Sequence, residues 1–237
     1  MMGACLKGSF LVLGKVGHGL AQLIYQMGIV TKMKRSKSSH RWLDEHMNDP
    51  YVKEAQKDGL RSRAAYKLME IQKKHSFIKK GHIVVELGAA PGGWTQVVRK
   101  WVGENGALYA LDILPMEPMS GVEIILGDFT EESTLEALAL SINHRKVDVV
   151  LSDMSPNMSG IRSADQYKAM HLAELALEFA LEHLSDKGYF FIKVFQGEGF
   201  EAYLKQLRTA FRRVSIEKPE ASRQRSREIY LFASKAP

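Results

Sequence analysis

The chain has 237 residues, of which 45% are hydrophobic and 25% are charged, so it can form one globular domain with a sizeable core. It contains no run of about 18 apolar residues, so no membrane span is expected, and its single cysteine, Cys5, excludes an internal disulfide. The net charge of +6 comes from residues 1–38, which hold six of the 33 basic residues and no acid, while the other 27 basic residues balance the 27 acids. Nucleic-acid binding would therefore need a local basic face.

Residues 1–32 form a basic, acid-free stretch that lacks the periodicity of a helix or a strand. A mitochondrial targeting peptide would also be basic, but this stretch has no arginine and few serines. We expect an N-terminal extension, disordered or not native, at 1–32, a basic arm with short helices at 33–62, and the main domain at 63–237. The expected location is the cytoplasm, or the mitochondrion if the extension is a genuine targeting peptide.

Three short helices are expected before the main sheet. The first covers 40–46, and the second runs from Pro50 to about Lys57. Lys67 lies in the third expected helix, at the border of the apolar face of that helix, where a lysine most often keeps its charged end in solvent. That third helix is indicated near 64–71 by apolar residues at helical spacing, namely Leu60, Ala64, Leu68 and Ile71.

A glycine-rich loop follows the first strand of the domain. The β-branched run from Ile83 to Leu87 leads into Gly-Ala-Ala-Pro-Gly-Gly and then into a helical pattern, an order that opens a nucleotide-binding unit. The loop is not Gly-x-Gly-x-x-Gly. Because Pro91 stiffens it and Glu86 adds negative charge, a cationic nucleoside without phosphate fits better than a dinucleotide. S-adenosylmethionine is such a ligand, and a plain strand-to-helix turn is the alternative.

The rest of the chain alternates between strands and helices, which indicates parallel strands joined by right-handed crossovers. The last two strands, 214–216 and 228–232, have no helix between them and predict an antiparallel hairpin at the sheet edge. We predict an α/β fold with a Rossmann-like, seven-stranded, mostly parallel sheet and helices on both faces, the layout of class I S-adenosylmethionine-dependent methyltransferases. The other strands are expected near 83–87, 107–111, 122–126, 147–151 and 189–194, and the helices near 93–102, 131–143, 165–184 and 199–212.

Acidic residues follow three of the predicted strands at the same edge of the sheet, where open α/β sheets bind ligands. Asp112 closes the second strand, roughly 20 residues after the glycine loop, which is the position of a carboxylate that binds ribose hydroxyls. Asp128 follows the third strand and could accept the adenine amino group, or could serve only as a turn or N-cap residue. Asp153 follows the fourth strand, on the side where a methyl group would project toward its acceptor.

Two further charged residues belong to predicted strands. Lys193 lies in an apolar strand that should be buried, and a buried lysine is costly unless it is paired. We favour a functional lysine over a structural ion pair. Glu228 begins the last strand, and strand alternation puts it on the same face as Tyr230 and Phe232. It therefore points inward, unless it is a charge that keeps an edge strand soluble.

Taken together, these motifs resemble those of the FtsJ/RrmJ (RlmE) family of large-subunit ribosomal RNA 2'-O-methyltransferases. The resemblance spans roughly Lys34 to Ala233 and includes Arg-Ser-Arg-Ala-Ala-Tyr-Lys-Leu, Glu-Leu-Gly-Ala-Ala-Pro-Gly-Gly-Trp, Ser-Asp-Met-Ser-Pro-Asn-Met-Ser-Gly and Lys-Val-Phe-Gln-Gly-Glu-Gly-Phe. It implies a catalytic tetrad of Lys67, Asp153, Lys193 and Glu228. It also implies cofactor contacts at Gly92, Trp94, Asp112, Asp128 and Asp153, to which the loop pattern adds Glu86 and Gly88. Glu86 stands where the family commonly has aspartate, and residues 1–32 have no counterpart.

The resemblance implies S-adenosylmethionine-dependent methylation of a uridine 2'-hydroxyl in the A-loop of 23S ribosomal RNA, on the assembled large subunit. Lys193 would either remove the hydroxyl proton or stabilise the developing alkoxide, and the residues leave both roles open. Asp153 and Glu228 would orient the lysines, and Lys67 would steer the ribose. A monomer without a bound metal is expected, because the single cysteine and scattered histidines form no ligand cluster.

Basic residues around the predicted cleft are expected to bind the RNA, although each could equally be a solvated surface charge. Their contacts with phosphates would position the RNA and make binding depend on salt concentration, but they would not select an RNA sequence. Two alternative functions share these features: a transfer-RNA or cap-type 2'-O-methyltransferase, and a non-catalytic RNA-binding ribosome assembly factor. The residues expected to bind RNA are Lys34, Arg35, Lys37, Arg41, Arg61, Arg63, Arg223, Arg225 and Arg227.

Overall fold

The computed structural model describes residues 49–223 and 225–236. The predicted extension at 1–32, the helix at 40–46 and the arm residues Lys34, Arg35, Lys37 and Arg41 lie outside that part of the chain. The helices of the described part are α1 Pro50–Lys57, α2 Ala64–His75, α3 Gly93–Val102, α4 Glu132–Ser141, α5 Arg162–His183 and α6 Phe200–Ala210. Its strands are β1 Ile83–Leu87, β2 Ala107–Asp112, β3 Glu123–Leu126, β4 Val147–Ser152, β5 Leu184–Phe195, β6 Arg213–Glu217 and β7 Glu228–Ser234.

The seven strands form one sheet in the order β3-β2-β1-β4-β5-β7-β6. Neighbouring strands from β3 to β5 are parallel, whereas β7 is antiparallel to both β5 and β6. The predicted fold is therefore confirmed. The hairpin has one feature that the sequence pattern did not predict: β7 inserts between β5 and β6, so that of the two hairpin strands only β6 is an edge strand of the sheet. Burial explains this order, because six of the seven residues of β7 are buried, whereas β6 is mostly exposed or half-buried.

Helices cover both faces of the sheet and bury two separate cores. On one face, α2 and α3 pack their apolar residues, including Leu68 and Trp94, onto the sheet. On the other face, α4, α5 and α6 bury Leu138, Leu177 and Leu207. Successive strand residues alternate between the two cores, as the pleat of a strand requires. In the part of the chain that the structure describes, no helix is both long and apolar enough to cross a membrane.

The order of the strands reverses beside β1, whose neighbours are β2 on one side and β4 on the other. In an open α/β sheet such a switch point leaves a crevice at the carboxyl ends of the strands, because the flanking connections turn away on opposite faces. The glycine loop leaves β1 at this edge, and Asp112 and Asp153 stand at the ends of β2 and β4. The fold therefore brings the predicted site residues to one edge of the sheet.

Candidate active site

Two lysine–carboxylate pairs lie beside the crevice. Lys67 on α2 places its Nζ 2.5 Å from Oε1 of Glu228, the first residue of β7. Lys193 on β5 places its Nζ 3.0 Å from Oδ1 of Asp153 and also donates a hydrogen bond of 2.5 Å to the Asp153 carbonyl. All four side chains are largely buried, and that of Lys193 is only 8% exposed. The structure therefore brings together the four residues of the predicted tetrad.

Tyr230 connects the two pairs and was not among the predicted site residues. Its hydroxyl lies 3.1 Å from Nζ of Lys67, 3.2 Å from Oε1 of Glu228 and 3.3 Å from Oδ1 of Asp153. The strand register explains this position, because Tyr230 pairs with Lys193 in the β5–β7 ladder. An aromatic residue in a buried strand is ordinarily a core residue, so only the contacts of its hydroxyl reveal the link.

Aromatic rings form a rigid floor below the Tyr230 hydroxyl. The Tyr230 ring stacks on Phe191 at a centroid distance of 5.1 Å, and Trp94 packs against both rings. The indole N–H of Trp94 donates to the Ala64 carbonyl at 2.8 Å, which fixes α3 against the start of α2. Because Lys67 lies on α2, this packing also fixes the position from which its ammonium group reaches Glu228.

The charges of this cluster determine its protonation. Burial alone would raise the pKa of the Glu228 carboxyl, but the ammonium groups of Lys67 and Lys193 outweigh it and hold that pKa below its usual range. Burial, together with the carboxylates of Asp153 and Glu228, raises the pKa of the Tyr230 phenol well above its usual value. At neutral pH the cluster therefore holds an ionised Glu228 and a neutral phenol that can donate one hydrogen bond.

The glycine loop adjoins this cluster through Gly88, which has a φ of +78°. A Cβ at this position would lie 2.7 Å from the backbone nitrogen of Met154, the residue after Asp153. Gly92, with a φ of +101°, precedes the first residue of α3. The loop thus combines a close approach of two backbone segments with the N-terminus of a helix, whose first N–H groups have no partner inside the helix.

Comparisons with known proteins agree with this geometry. A family model described as FtsJ-like methyltransferase matches residues 60–236. A protein named ribosomal RNA large subunit methyltransferase E, from Marinobacter nauticus, is 55% identical over 201 residues, which cover 85% of this chain and 97% of the relative. A protein of the same name from Alkalilimnicola ehrlichii is 56% identical over 202 residues, with the same coverage of both chains. This chain belongs to the FtsJ-like methyltransferase family.

A solved structure supports the same fold. A Plasmodium falciparum protein provisionally named a ribosomal RNA methyltransferase is 27% identical and aligns with a TM-score of 0.65. The alignment covers 73% of this chain and 97% of that chain. The family resemblance stated from the sequence motifs is therefore confirmed, and the chain is a methyltransferase.

In this FtsJ-like methyltransferase, Asp112 at the end of β2 supports the glycine loop. Its Oδ2 accepts the Ala90 N–H at 2.8 Å, and its Oδ1 accepts the Leu114 N–H at 2.8 Å. Burial raises the pKa of the Asp112 carboxyl, although these backbone hydrogen bonds oppose the rise. Each carboxylate oxygen has two lone pairs, so Asp112 can hold the loop and still accept ligand hydroxyls.

Three other predicted cofactor residues have contacts that restrict how they could act. Asp128 accepts the N–H and the hydroxyl of Thr130 through Oδ1, so it serves at least the turn role considered from the sequence. Trp94 is only 1% exposed, and its indole N–H already donates to the Ala64 carbonyl. Glu86 is also 1% exposed and accepts the Thr95 hydroxyl at 2.7 Å. Cofactor contacts at these residues stay predictions.

Burial makes Glu86 a group whose ionisation opposes folding. It raises the pKa of this carboxyl from 4.5 to about 8, although the hydrogen bond from Thr95 acts in the opposite direction. Between these two values the folded protein holds a proton that the unfolded chain releases. The free energy of unfolding should therefore fall as the pH rises through this interval, by up to about 4–5 kcal/mol from this group alone.

The variant Glu86→Gln should remove this part of the pH dependence, because glutamine is neutral and can still accept the Thr95 hydroxyl. We expect the variant to be several kcal/mol more stable than the unsubstituted protein at pH 8.5, with a smaller or reversed difference at pH 5. Urea unfolding of both proteins at both pH values measures this difference in the free energy of unfolding. Equal pH slopes in the two proteins would show that Glu86 ionises normally in the fold.

The described arginines predicted to bind RNA fall into separate groups. Arg63 pairs with the buried carboxylate of Asp49 and donates to the Ala221 carbonyl, and Arg223 lies 3.5 Å from the same carboxylate. Arg225 lines the cavity beside them, and Arg227 donates to the Gln196 carbonyl at 3.3 Å. Arg61 instead donates to the carbonyls of Glu117 and Pro118, close to the glycine loop. RNA binding by these residues stays a prediction.

A surface cleft is lined by the Lys67–Glu228 pair of the tetrad. It has a volume of about 280 Å³, and its wall includes Arg63, Lys67, Arg223 and Glu228. A second cavity of about 320 Å³ shares Arg63 and Arg223 with it and is also lined by Tyr51. Across residues 49–223 and 225–236, no group of three or more His, Cys, Asp or Glu side chains is arranged to hold a metal ion.

Removing the Tyr230 hydroxyl should slow methyl transfer while the aromatic floor remains. In Tyr230→Phe, Asp153, Glu228 and Lys67 lose their common partner, so we expect kcat to fall about 10-fold. The matched control is Tyr203→Phe, which removes a buried hydroxyl that bonds to the Ala173 carbonyl on the far face of the sheet. Single-turnover rates and thermal unfolding should show a similar stability cost for both variants, but a rate loss only for Tyr230→Phe.

Proposed function

We propose that this methyltransferase uses S-adenosylmethionine to methylate the ribose 2'-hydroxyl of a uridine in the A-loop of 23S ribosomal RNA, on the assembled large subunit. The main supporting observation is the contact network in which Tyr230 joins Lys67–Glu228 to Lys193–Asp153 beside the glycine loop. The names of the two bacterial relatives support ribosomal RNA as the substrate. The choice of the ribose oxygen is supported by the two lysines, because a hydroxyl of very low acidity needs positive charge nearby.

The glycine loop, with Asp112 and Asp153 beside it, fits S-adenosylmethionine, which supplies an electrophilic methyl group on a sulfonium. Glu86 does not add the negative charge expected from the sequence, because burial raises its pKa to about 8 and keeps it protonated at neutral pH. Asp112 stands at the end of β2, where it can accept ribose hydroxyls, and its carboxylate already orients the loop through Ala90. The left-handed conformation at Gly92 lets the backbone approach a ligand closely before α3 begins. The N–H groups of Gly93 and Trp94 at that helix start are suited to an anionic group.

The contacts of Lys193 favour a charged ammonium over a neutral base. An ammonium has three N–H donors, and Lys193 directs two of them to the carboxylate and the carbonyl of Asp153. The third can donate to the ribose 2'-oxygen and stabilise the negative charge that develops there. A neutral amine would leave the Asp153 carboxylate without its ionic partner. We therefore assign Lys193 to charge stabilisation, and Lys67 to the positioning of the ribose.

The cleft lined by Lys67 supports an RNA approach along α2. Arg63 precedes Lys67 by one helical turn, so their side chains lie on the same face of α2. Arg223 borders the same cleft from the segment before β7. Phosphates on both sides of the target nucleotide could contact these arginines while the ribose reaches Lys67. Together with Arg225 and Arg227, they would account for the salt dependence expected of RNA binding.

Transfer of labelled methyl groups tests the proposed substrate. Large ribosomal subunits that lack the modification, free ribosomal RNA and transfer RNA would each be incubated with the enzyme and labelled S-adenosylmethionine, and the product mapped with nucleases. We expect label at a single nucleotide of the large subunit, in the A-loop. Label only on transfer RNA would keep the reaction but contradict the substrate. Absence of transfer to all three RNAs would contradict the proposal as a whole.

A further inference from the structure

The side chain of Arg61 lies against the glycine loop rather than beside the other arginines. Its Nη1 donates to the Glu117 carbonyl at 2.9 Å, and its Nη2 donates to the Pro118 carbonyl at 3.2 Å. A Cβ built on Gly92 would lie 2.8 Å from the same Nη1. The guanidinium group therefore stands between the loop that follows β2 and the residue that precedes α3.

The backbone of Arg61 is fixed in this position by α3 itself. The Arg61 N–H donates to Oε1 of Gln96 at 3.0 Å, and Nε2 of Gln96 donates to the Gly59 carbonyl at 2.8 Å. Gln96 lies in the first turns of α3, one turn after Gly92. The segment that carries Arg61 is thus held to the helix whose N-terminus faces the ligand crevice, so the guanidinium is preorganised there.

From this geometry we infer that Arg61 binds the carboxylate at the aminoacyl end of S-adenosylmethionine, and not RNA. A guanidinium has five N–H donors, and the two carbonyls accept only two of them. The carboxylate is the one anionic group of this ligand, and a planar guanidinium matches it well. The helix N-terminus beside Gly92 adds further N–H donors and a favourable dipole for the same anion. This inference rests on the proposed function.

The contacts of Arg63 show why Arg61 and Arg63, although close in sequence, should bind different ligands. Arg63 pairs with Asp49 and donates to the Ala221 carbonyl on the cleft side of α2. Arg61, two residues earlier, faces Glu117 and Pro118 on the side of α3. The two side chains therefore serve different sites: Arg63 borders the proposed RNA cleft, and Arg61 borders the proposed cofactor site.

Calorimetric binding of two ligands tests the inference. S-adenosylhomocysteine carries the aminoacyl carboxylate, whereas 5'-methylthioadenosine has the same nucleoside and thioether without it. We expect Arg61→Ala to weaken S-adenosylhomocysteine binding about 10- to 100-fold, the effect of losing a charge-assisted hydrogen bond. Binding of 5'-methylthioadenosine and of ribosomal RNA should change less than about twofold. Arg61→Lys should retain part of the affinity for S-adenosylhomocysteine, because it keeps the charge but not the planar fork.

The control variant is Arg63→Ala, which should weaken RNA binding and leave both small ligands unaffected. Equal losses for the two nucleosides in Arg61→Ala would mean that Arg61 only holds the loop around Glu117, and would overturn the inference. A loss of RNA affinity alone would overturn it as well. If the unsubstituted protein binds neither nucleoside, the proposed function fails instead, and the two failures are thereby distinguished.

Discussion

Replacing Lys193 with alanine should lower kcat for methyl transfer by about 10²- to 10⁴-fold, while S-adenosylmethionine still binds. The ammonium group of Lys193 is the proposed source of positive charge at the reacting oxygen, and its loss also leaves Asp153 without its ionic partner. The hydrogen-bond partners of Asp112 are Ala90 and Leu114 and those of Lys193 are the two groups of Asp153, so we expect the cofactor affinity to stay within a few-fold. Single-turnover transfer and calorimetric binding measure the two quantities separately.

Two further variants separate charge from proton abstraction and from general effects on the strand. Lys193→Arg keeps a positive charge that cannot act as a neutral base, so activity clearly above that of the alanine variant would support charge stabilisation. Lys187→Ala changes an exposed lysine on the same strand, β5, and should leave kcat unchanged. A Lys193→Ala enzyme with kcat within a few-fold of normal would remove Lys193 from the mechanism.

Replacing Gly88 with alanine should lower the free energy of unfolding by at least about 3 kcal/mol. The added Cβ would meet the backbone nitrogen and Cα of Met154 at 2.7 and 2.8 Å, and the backbone cannot move aside as a flexible side chain would. The φ of +78° adds the strain of a left-handed conformation. For a protein of this size we expect the melting temperature to fall by about 6–12 °C.

Gly81→Ala is the matched control for this prediction. Gly81 has a similar φ of +82°, but a Cβ there would meet nothing within 4 Å. It should therefore show only the conformational cost of about 1–2 kcal/mol. The difference between the two variants, measured by urea unfolding, isolates the contact between the glycine loop and Met154. Equal destabilisation would mean that the two segments move apart easily, and would contradict a rigid contact between Gly88 and Met154.

Much of the fold followed from local patterns in the sequence. The β-branched run before the glycine loop predicted β1 within its observed bounds, and helical spacing predicted α2 and α3. The lateral order of the strands is not a local property, because it depends on which buried surfaces pack together. The pattern therefore predicted the hairpin of β6 and β7 but not the insertion of β7 beside β5.

The candidate site was predictable where a residue conflicted with its surroundings. Lys193 stood out because a charge in an apolar strand needs a partner, and the structure supplies Asp153. Lys67 did not stand out by itself, since a lysine at the border of a helix is usually solvated. Tyr230 was missed because its ring fits a core strand. The different roles of Arg61 and Arg63 could not be told apart from the sequence, because the two side chains meet different partners only in the folded chain.

The position of the transferred methyl group tests the central claim most directly. Large ribosomal subunits would be methylated with labelled S-adenosylmethionine, and their RNA digested to nucleosides for chromatography and mass spectrometry. The proposed role of the lysine–carboxylate network predicts that all label appears in 2'-O-methyluridine, and that a 2'-deoxyuridine at the target position accepts none. Label on a uracil base would contradict it, because the methyl acceptor would then not be the ribose 2'-oxygen on which the network is proposed to act.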